Sequence, residues 1–202
     1  MDRRAFALGA AALAAAAPGL SRAQTAEGYA PPEPPALPEE FQLLQNRMDG
    51  RPLTALRLDQ KLDLLPRVPG TLVDVRALGL SRSGWTFFDD RGVFAALFGD
   101  GLDDETLTGL VRVVDSPRPS ASFHSRATAP FALPTGFVAQ EALTRYAYIS
   151  GAPPAAGGTL GDYAVALSPA DTAEVLMARL RAAQRYWASY IERYGAAAVN
   201  RL

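Results

Sequence analysis

The chain has no cysteine at any of its 202 positions, and that one absence removes a large body of chemistry. Thiolate catalysis, cysteine-ligated metals, iron–sulfur clusters, covalent haem attachment and a lipid-modified cysteine anchor all need a sulfur that is not there. Disulfides are excluded too, so stability must come from packing, which a chain of this length can supply. Histidine is almost as scarce. His124 stands alone, so any imidazole acid–base step or histidine-held metal must use it without a second. Lysine occurs once, as Lys61, against many arginines, a bias to which no function attaches. With a formal net charge of −1, the chain has no electrostatic footprint for nucleic acid.

What is present begins with a three-part leader. Arg3 and Arg4 precede an uncharged stretch from Ala5 to Leu20, and a small-residue exit follows at Ser21-Arg22-Ala23. This is the charged, apolar and cleavage layout of an export signal. The middle stretch is alanine-rich, carries Gly9, Pro18 and Gly19, and is too short and too weakly apolar to span about 30 Å of hydrocarbon. Cleavage between Ala23 and Gln24 is therefore expected, leaving no membrane span in the mature chain.

The run Arg3-Arg4-Ala5-Phe6 resembles the twin-arginine family of export signals, with its paired arginines and an aromatic two positions on. Asp2 stands where Ser or Thr is commoner, and Leu8 follows one place late. The low hydrophobicity and Arg22 near the cleavage point fit the same family. The resemblance covers the first 23 residues or so and implies a partner, the twin-arginine translocase, and a periplasmic address. It also implies a protein exported already folded, which either holds something or accompanies a larger subunit. Loss of Arg3, Arg4 and Arg22 with Asp2 would take the net charge from −1 to −3.

Residues 24–38, QTAEGYAPPEPPALP, are too rich in proline for helix or sheet ladders and read as an extended linker. From Glu39 to Asp49, Phe41, Leu44 and Met48 recur at helical spacing before Gly50. A second helical run, Leu53 to Leu65, ends at Pro66. Alternation from Thr71 to Leu80 predicts a half-buried strand, turning at Ser83-Gly84 into Trp85 to Phe88 as a hairpin. Val93 to Phe98 is apolar without a clear period. Asp103 then caps a helix to about Val114, with Asp104 and Glu105 in its first turn. Further strands are expected at Ala121 to Ser125, Leu143 to Ser150 and Leu160 to Leu167, although Phe137 to Ile149 fits a helix equally well. The loop at 151–158 is a connector.

The last element is the clearest. Ser168-Pro169-Ala170-Asp171 provides a cap, an N-terminal proline and an acid, and Ala173, Leu176, Leu180, Ala183, Trp187, Ile191 and Tyr194 share one arc of the helix that follows. Tyr186 and Tyr190 fall at the edge of that stripe and are the candidates for contact with a ligand or partner. The expected architecture is a single α+β domain over 39–202. Its sheet is mostly antiparallel, flanked by N-terminal helices and the long amphipathic C-terminal one.

Candidate chemistry is thin. Gly79-Leu80-Ser81-Arg82-Ser83-Gly84 has a serine between glycines, but Ser83 replaces the second glycine of a nucleophile elbow and β-prone residues follow. A hydrolase would need Ser81, His124 and an acid such as Asp162 to converge. The acidic run Asp100 to Glu105 lacks the alternating donors of a calcium loop, and haem held by His124 with Met48 or Met177 has no supporting motif. No metal and no cofactor is expected. Two readings result: a non-enzymatic periplasmic ligand-binding or accessory subunit exported folded, or a small serine hydrolase using Ser81 and His124.

Overall fold

A computed structural model describes residues 36–74, 85–89, 91–124, 131–149 and 172–201. The leader with Arg3, Arg4, Phe6, Ala23 and Gln24, the segment holding Ser81, the loop at 151–158, the expected strand Leu160 to Leu167 and the expected cap at Ser168 all lie outside the described residues.

Helix α1, Glu39–Arg47, is anchored by fully buried Phe41. It stops where Asp49 and Gly50 take left-handed conformations, φ 56° and 75°, and the Gly50 amide reaches back to the Gln45 carbonyl at 3.1 Å. The helical run expected from Leu53 to Leu65 is broken into a 3-10 turn, Leu53–Ala55, and helix α2, Leu58–Leu64. The break lies at Leu56 and Arg57, which are extended. The Arg57 amide donates to Gln60 Oε1 at 3.1 Å, so α2 begins with a cap of its own. A further 3-10 turn, Leu65–Arg67, absorbs Pro66.

Strands β1, Thr71–Asp74, and β2, Trp85–Phe88, pair antiparallel, with Thr71 opposite Phe88 and Asp74 opposite Trp85. The apolar run after them is helix α3, Val93–Phe98, and helix α4 follows over Asp104–Val113. Asp103 caps α4 as its position predicts, accepting the Thr106 amide at 2.7 Å. Strand β3, Pro119–His124, starts on a proline, a position where a missing amide costs no ladder bond. Strand β4 is Phe131–Pro134, and the sheet order is β2-β1-β3-β4.

The fold is α+β, and its sheet is mixed: the β1/β2 and β3/β4 ladders are antiparallel, as expected of most pairings, and one ladder is not. β1 and β3 run parallel, with Leu72 opposite His124, because β2, α3 and α4 intervene and give the long crossover that parallel neighbours need. Of the two readings open for the next region, the helix over Phe137 to Ile149 holds for most of its length and the strand at Leu143 to Ser150 does not. Helix α5 occupies Thr135–Tyr146, and only Ala147–Tyr148, strand β5, is extended. The C-terminal helix α6 spans Ala173–Tyr194, capped by Thr172 Oγ1 at 3.3 Å from the Val175 amide, and ends at Gly195 with φ 81°. A short strand β6, Asn200–Arg201, pairs antiparallel with β5.

The core gathers around α5. Phe137, Val138, Ala139, Ala142 and Leu143 are fully buried, together with Leu107 and Leu110 of α4 and Leu176 and Leu180 of α6. Close approach of α4 and α5 depends on Gly136, whose amide donates to the Ser116 carbonyl at 3.0 Å. A methyl group there would meet the Val114 carbonyl oxygen at 2.1 Å and its carbon at 2.7 Å. These are backbone atoms that cannot swing aside, so Gly136→Ala should cost about 3 kcal/mol or more of stability, read as a lower urea midpoint. Wild-type stability in that variant would refute the packing described.

Candidate functional site

Helix α5 is apolar almost all round, and its outer face is where polar groups collect. Phe137, Glu141 and Arg145 follow one another at four-residue spacing, one helical turn apart on one stripe. Phe137 is buried under the Phe87 ring, edge to face at a centroid distance of 5.8 Å. Arg145 is half out in solvent, with 51 % of its side chain exposed. Glu141 lies between them, partly buried.

Burial pushes the Glu141 carboxyl up to about 7. Its natural partner is Arg145, four residues on, where glutamate followed by a basic residue pairs across a helix surface. Arg145 turns elsewhere. Its Nη1 lies 3.8 Å from Asp89 Oδ2, and its guanidinium carbon sits 5.9 Å from the Tyr146 ring centre. Without a cation beside it, a carboxyl taken partly out of water keeps its proton to a higher pH.

Asp89 is the fixed point of this group. Its side chain is 1 % exposed, yet both oxygens are satisfied, accepting the Val93 amide at 2.8 Å and the Phe94 amide at 2.7 Å at the start of α3. The aromatic rings of Phe87, Phe94, Phe98 and Tyr146 form a connected series, with neighbouring centroids 6.0 to 6.3 Å apart. On the other side of Glu141, Gln140 is buried and its Oε1 has no hydrogen-bond partner among the described residues. The face thus offers one carboxyl that is neutral below about 7, one buried amide oxygen and one half-exposed cation. It can donate and accept hydrogen bonds and can titrate near neutrality.

A concavity of about 350 Å³ lies between α1 and α2, lined by Leu43, Leu44, Leu56 and Leu64 together with Glu40, Arg47, Gln60, Asp63, and Arg67 of the following turn. Its charges balance, and Glu40 and Arg67 already form an exposed pair at 3.6 Å.

The residues singled out from the sequence fall elsewhere. His124 is 1 % exposed, at the end of β3 between Leu72 and Phe131 in the ladders. Ser81 and Asp162 lie outside the described residues, and of the hydrolase constellation only His124 is described. Tyr186 is buried, because the covered arc of α6 is rotated toward it. Tyr190 is partly buried, with its hydroxyl 3.5 Å from the Ala198 carbonyl. Tyr194, assigned to the buried stripe, is 48 % exposed because the helix runs past the body it packs on. Its ring lies 4.9 Å from Tyr190 and 5.4 Å from the Arg193 guanidinium carbon.

In the acidic run, Asp103 is a helix cap and its carboxyl is held below the usual range by the hydrogen bond from Thr106. Asp104 pairs with Arg201. No cluster of three or more metal-ligating side chains and no helix long and apolar enough to cross a membrane occurs among the described residues. Met48 and Met177 are partly buried on α1's C-terminal turn and on α6. No protein-family model, curated protein or solved structure matches the chain.

The Glu141 shift fixes a pH dependence with a definite sign. The native state holds a proton that the unfolded chain releases near 4.5, so this stabilising contribution is complete below that value and is lost as pH rises through about 7. Glu141→Gln removes the slope. Relative to the parent, the variant should gain stability between about pH 5 and pH 8, by at most about 3 kcal/mol because the side chain keeps some water contact. Urea unfolding at both pH values measures it, and parallel pH profiles would show that Glu141 titrates normally.

Proposed function

We propose that the chain is an exported periplasmic protein without catalytic activity of its own, a ligand-binding or accessory subunit delivered folded by the twin-arginine translocase. The observation that carries this reading is the run Arg3-Arg4-Ala5-Phe6 ahead of a weakly apolar, alanine-rich stretch and a small-residue exit. Two features of the folded part support the non-catalytic half. The one histidine, His124, is enclosed in the core, where a general base has no open path to a dissolved substrate. The partly buried Tyr190 beside exposed Tyr194, and the titratable face of α5, offer contacts to a ligand or partner.

Arginine and lysine carry the same charge but not the same recognition geometry, and this separates the two export routes. Replacing Arg3 and Arg4 with lysine together should leave the precursor in the cytoplasm at full length, read by fractionation and N-terminal sequencing. A general secretory leader needs only positive charge, so undiminished export of the double-lysine variant would refute twin-arginine delivery. In the same preparations, a serine-directed fluorophosphonate should not label the mature protein. Labelling that disappears in Ser81→Ala would replace the binding reading with the hydrolase.

A further inference from the structure

Where α5 passes the start of α3, two carboxyl groups stand within reach of one guanidinium, and one cation cannot serve both. Arg145 follows Glu141 by four residues, the spacing and order that favour an ion pair along a helix, yet it lies 3.8 Å from Asp89 instead. That contact is long, and half of the Arg145 side chain is in solvent, so its departure would disturb little packing. Asp89 would stay satisfied without it, through its bonds to the Val93 and Phe94 amides.

We propose that Arg145 is a proton-dependent toggle, resting on Asp89 while Glu141 carries its proton and crossing to Glu141 when that proton leaves. Among the described residues, other charged groups on the elements packed against α5 are committed or face water, and Asp100, after α3, which acts on Tyr146, is exposed. On α4, Asp104 holds Arg201, and Glu105 and Arg112 are exposed. On the 3-10 turn Arg67 pairs with Glu40. β3 contributes buried His124, β4 and β5 carry no charge, and on α6 Glu174, Arg181, Arg185, Glu192 and Arg193 are exposed while Arg179 has a partner. Burial is the sole cause acting on Glu141, so no nearby cation has already answered it. The exchange would occur near neutral pH, where loss of the proton turns a tolerated neutral group into a buried charge that needs compensation.

Double-mutant cycles on the full chain test this at about pH 5.5 and pH 8.5. With Glu141→Gln and Arg145→Gln, the expected coupling is absent at the lower pH and amounts to about two- to fivefold in the unfolding equilibrium constant at the higher. With Asp89→Asn and Arg145→Gln the order reverses, and in a Glu141→Gln background the Asp89 coupling persists at both. Asp89→Asn weakens the cap of α3, and should it not fold, the Glu141 cycle decides alone. Equal Glu141–Arg145 coupling at the two pH values, or none at either, overturns the toggle.

Discussion

Helix α5 runs through the middle of the molecule because residue 136 has no side chain. The turn that follows α4 lays the Val114 carbonyl 2.1 Å from where a methyl group would stand, and the same turn takes the Gly136 amide on Ser116 and the Thr135 amide on Arg118. Sequence thus decides a helix–helix distance, and that distance decides the core. With α5 seated this closely, Phe137 reaches the ring of Phe87 from β2 and Leu143 reaches the buried body. The sheet, α4 and α6 then close around one element, each covered leucine adding about 1.5–3 kcal/mol.

A helix so enclosed has little perimeter left for polar groups, and after Thr135, bonded to the Arg118 carbonyl, the arc from Gln140 to Arg145 carries most of them. The electrostatics follow from this crowding. Asp89 is needed where it is, since it satisfies two amides at the start of α3 that would otherwise be buried without partners. Its own negative charge, almost wholly removed from water, draws Arg145. Glu141 is left without the neighbour its spacing would give it, so burial goes unopposed and holds the carboxyl neutral below about 7. Capping, ion pairing and titration are here one chain of causes.

Elements whose signal is local were legible in the sequence. Asp103 before Asp104 and Glu105 marks a helix start that needs no tertiary information, and Gly195 marks the end of α6 for the same reason. The α5 region was not, because a segment apolar on nearly every side has no period to separate helix from strand. The break at Leu56 and Arg57 was hidden too, since leucines on both sides keep a helical rhythm across a point where the backbone is extended. Tyr186 and Tyr194 exchanged roles because the stripe on α6 gives the direction of the core but not how far the core extends along the helix. Glu141 gave no signal by type. Its stripe did: Phe137 and Arg145 one turn either side of it mark a face passing from buried to wet.

The fold bears on function chiefly through His124. A lone histidine in a cysteine-free chain is the residue type that most often serves as a general base near neutral pH or ligates a transition metal, and alternation with Phe123 predicts that it faces away from that ring, beside polar neighbours. In the ladder it shares the inner side of the sheet with Leu72 and is covered, while Phe123 faces outward, 43 % exposed. The alternation of β3 therefore spends the histidine on the core and presents the phenylalanine to the outside. That is the opposite of what a hydrolytic site requires and agrees with a surface that makes contacts. The group left to respond to its surroundings is a carboxyl, Glu141, on a helix whose position Gly136 fixes.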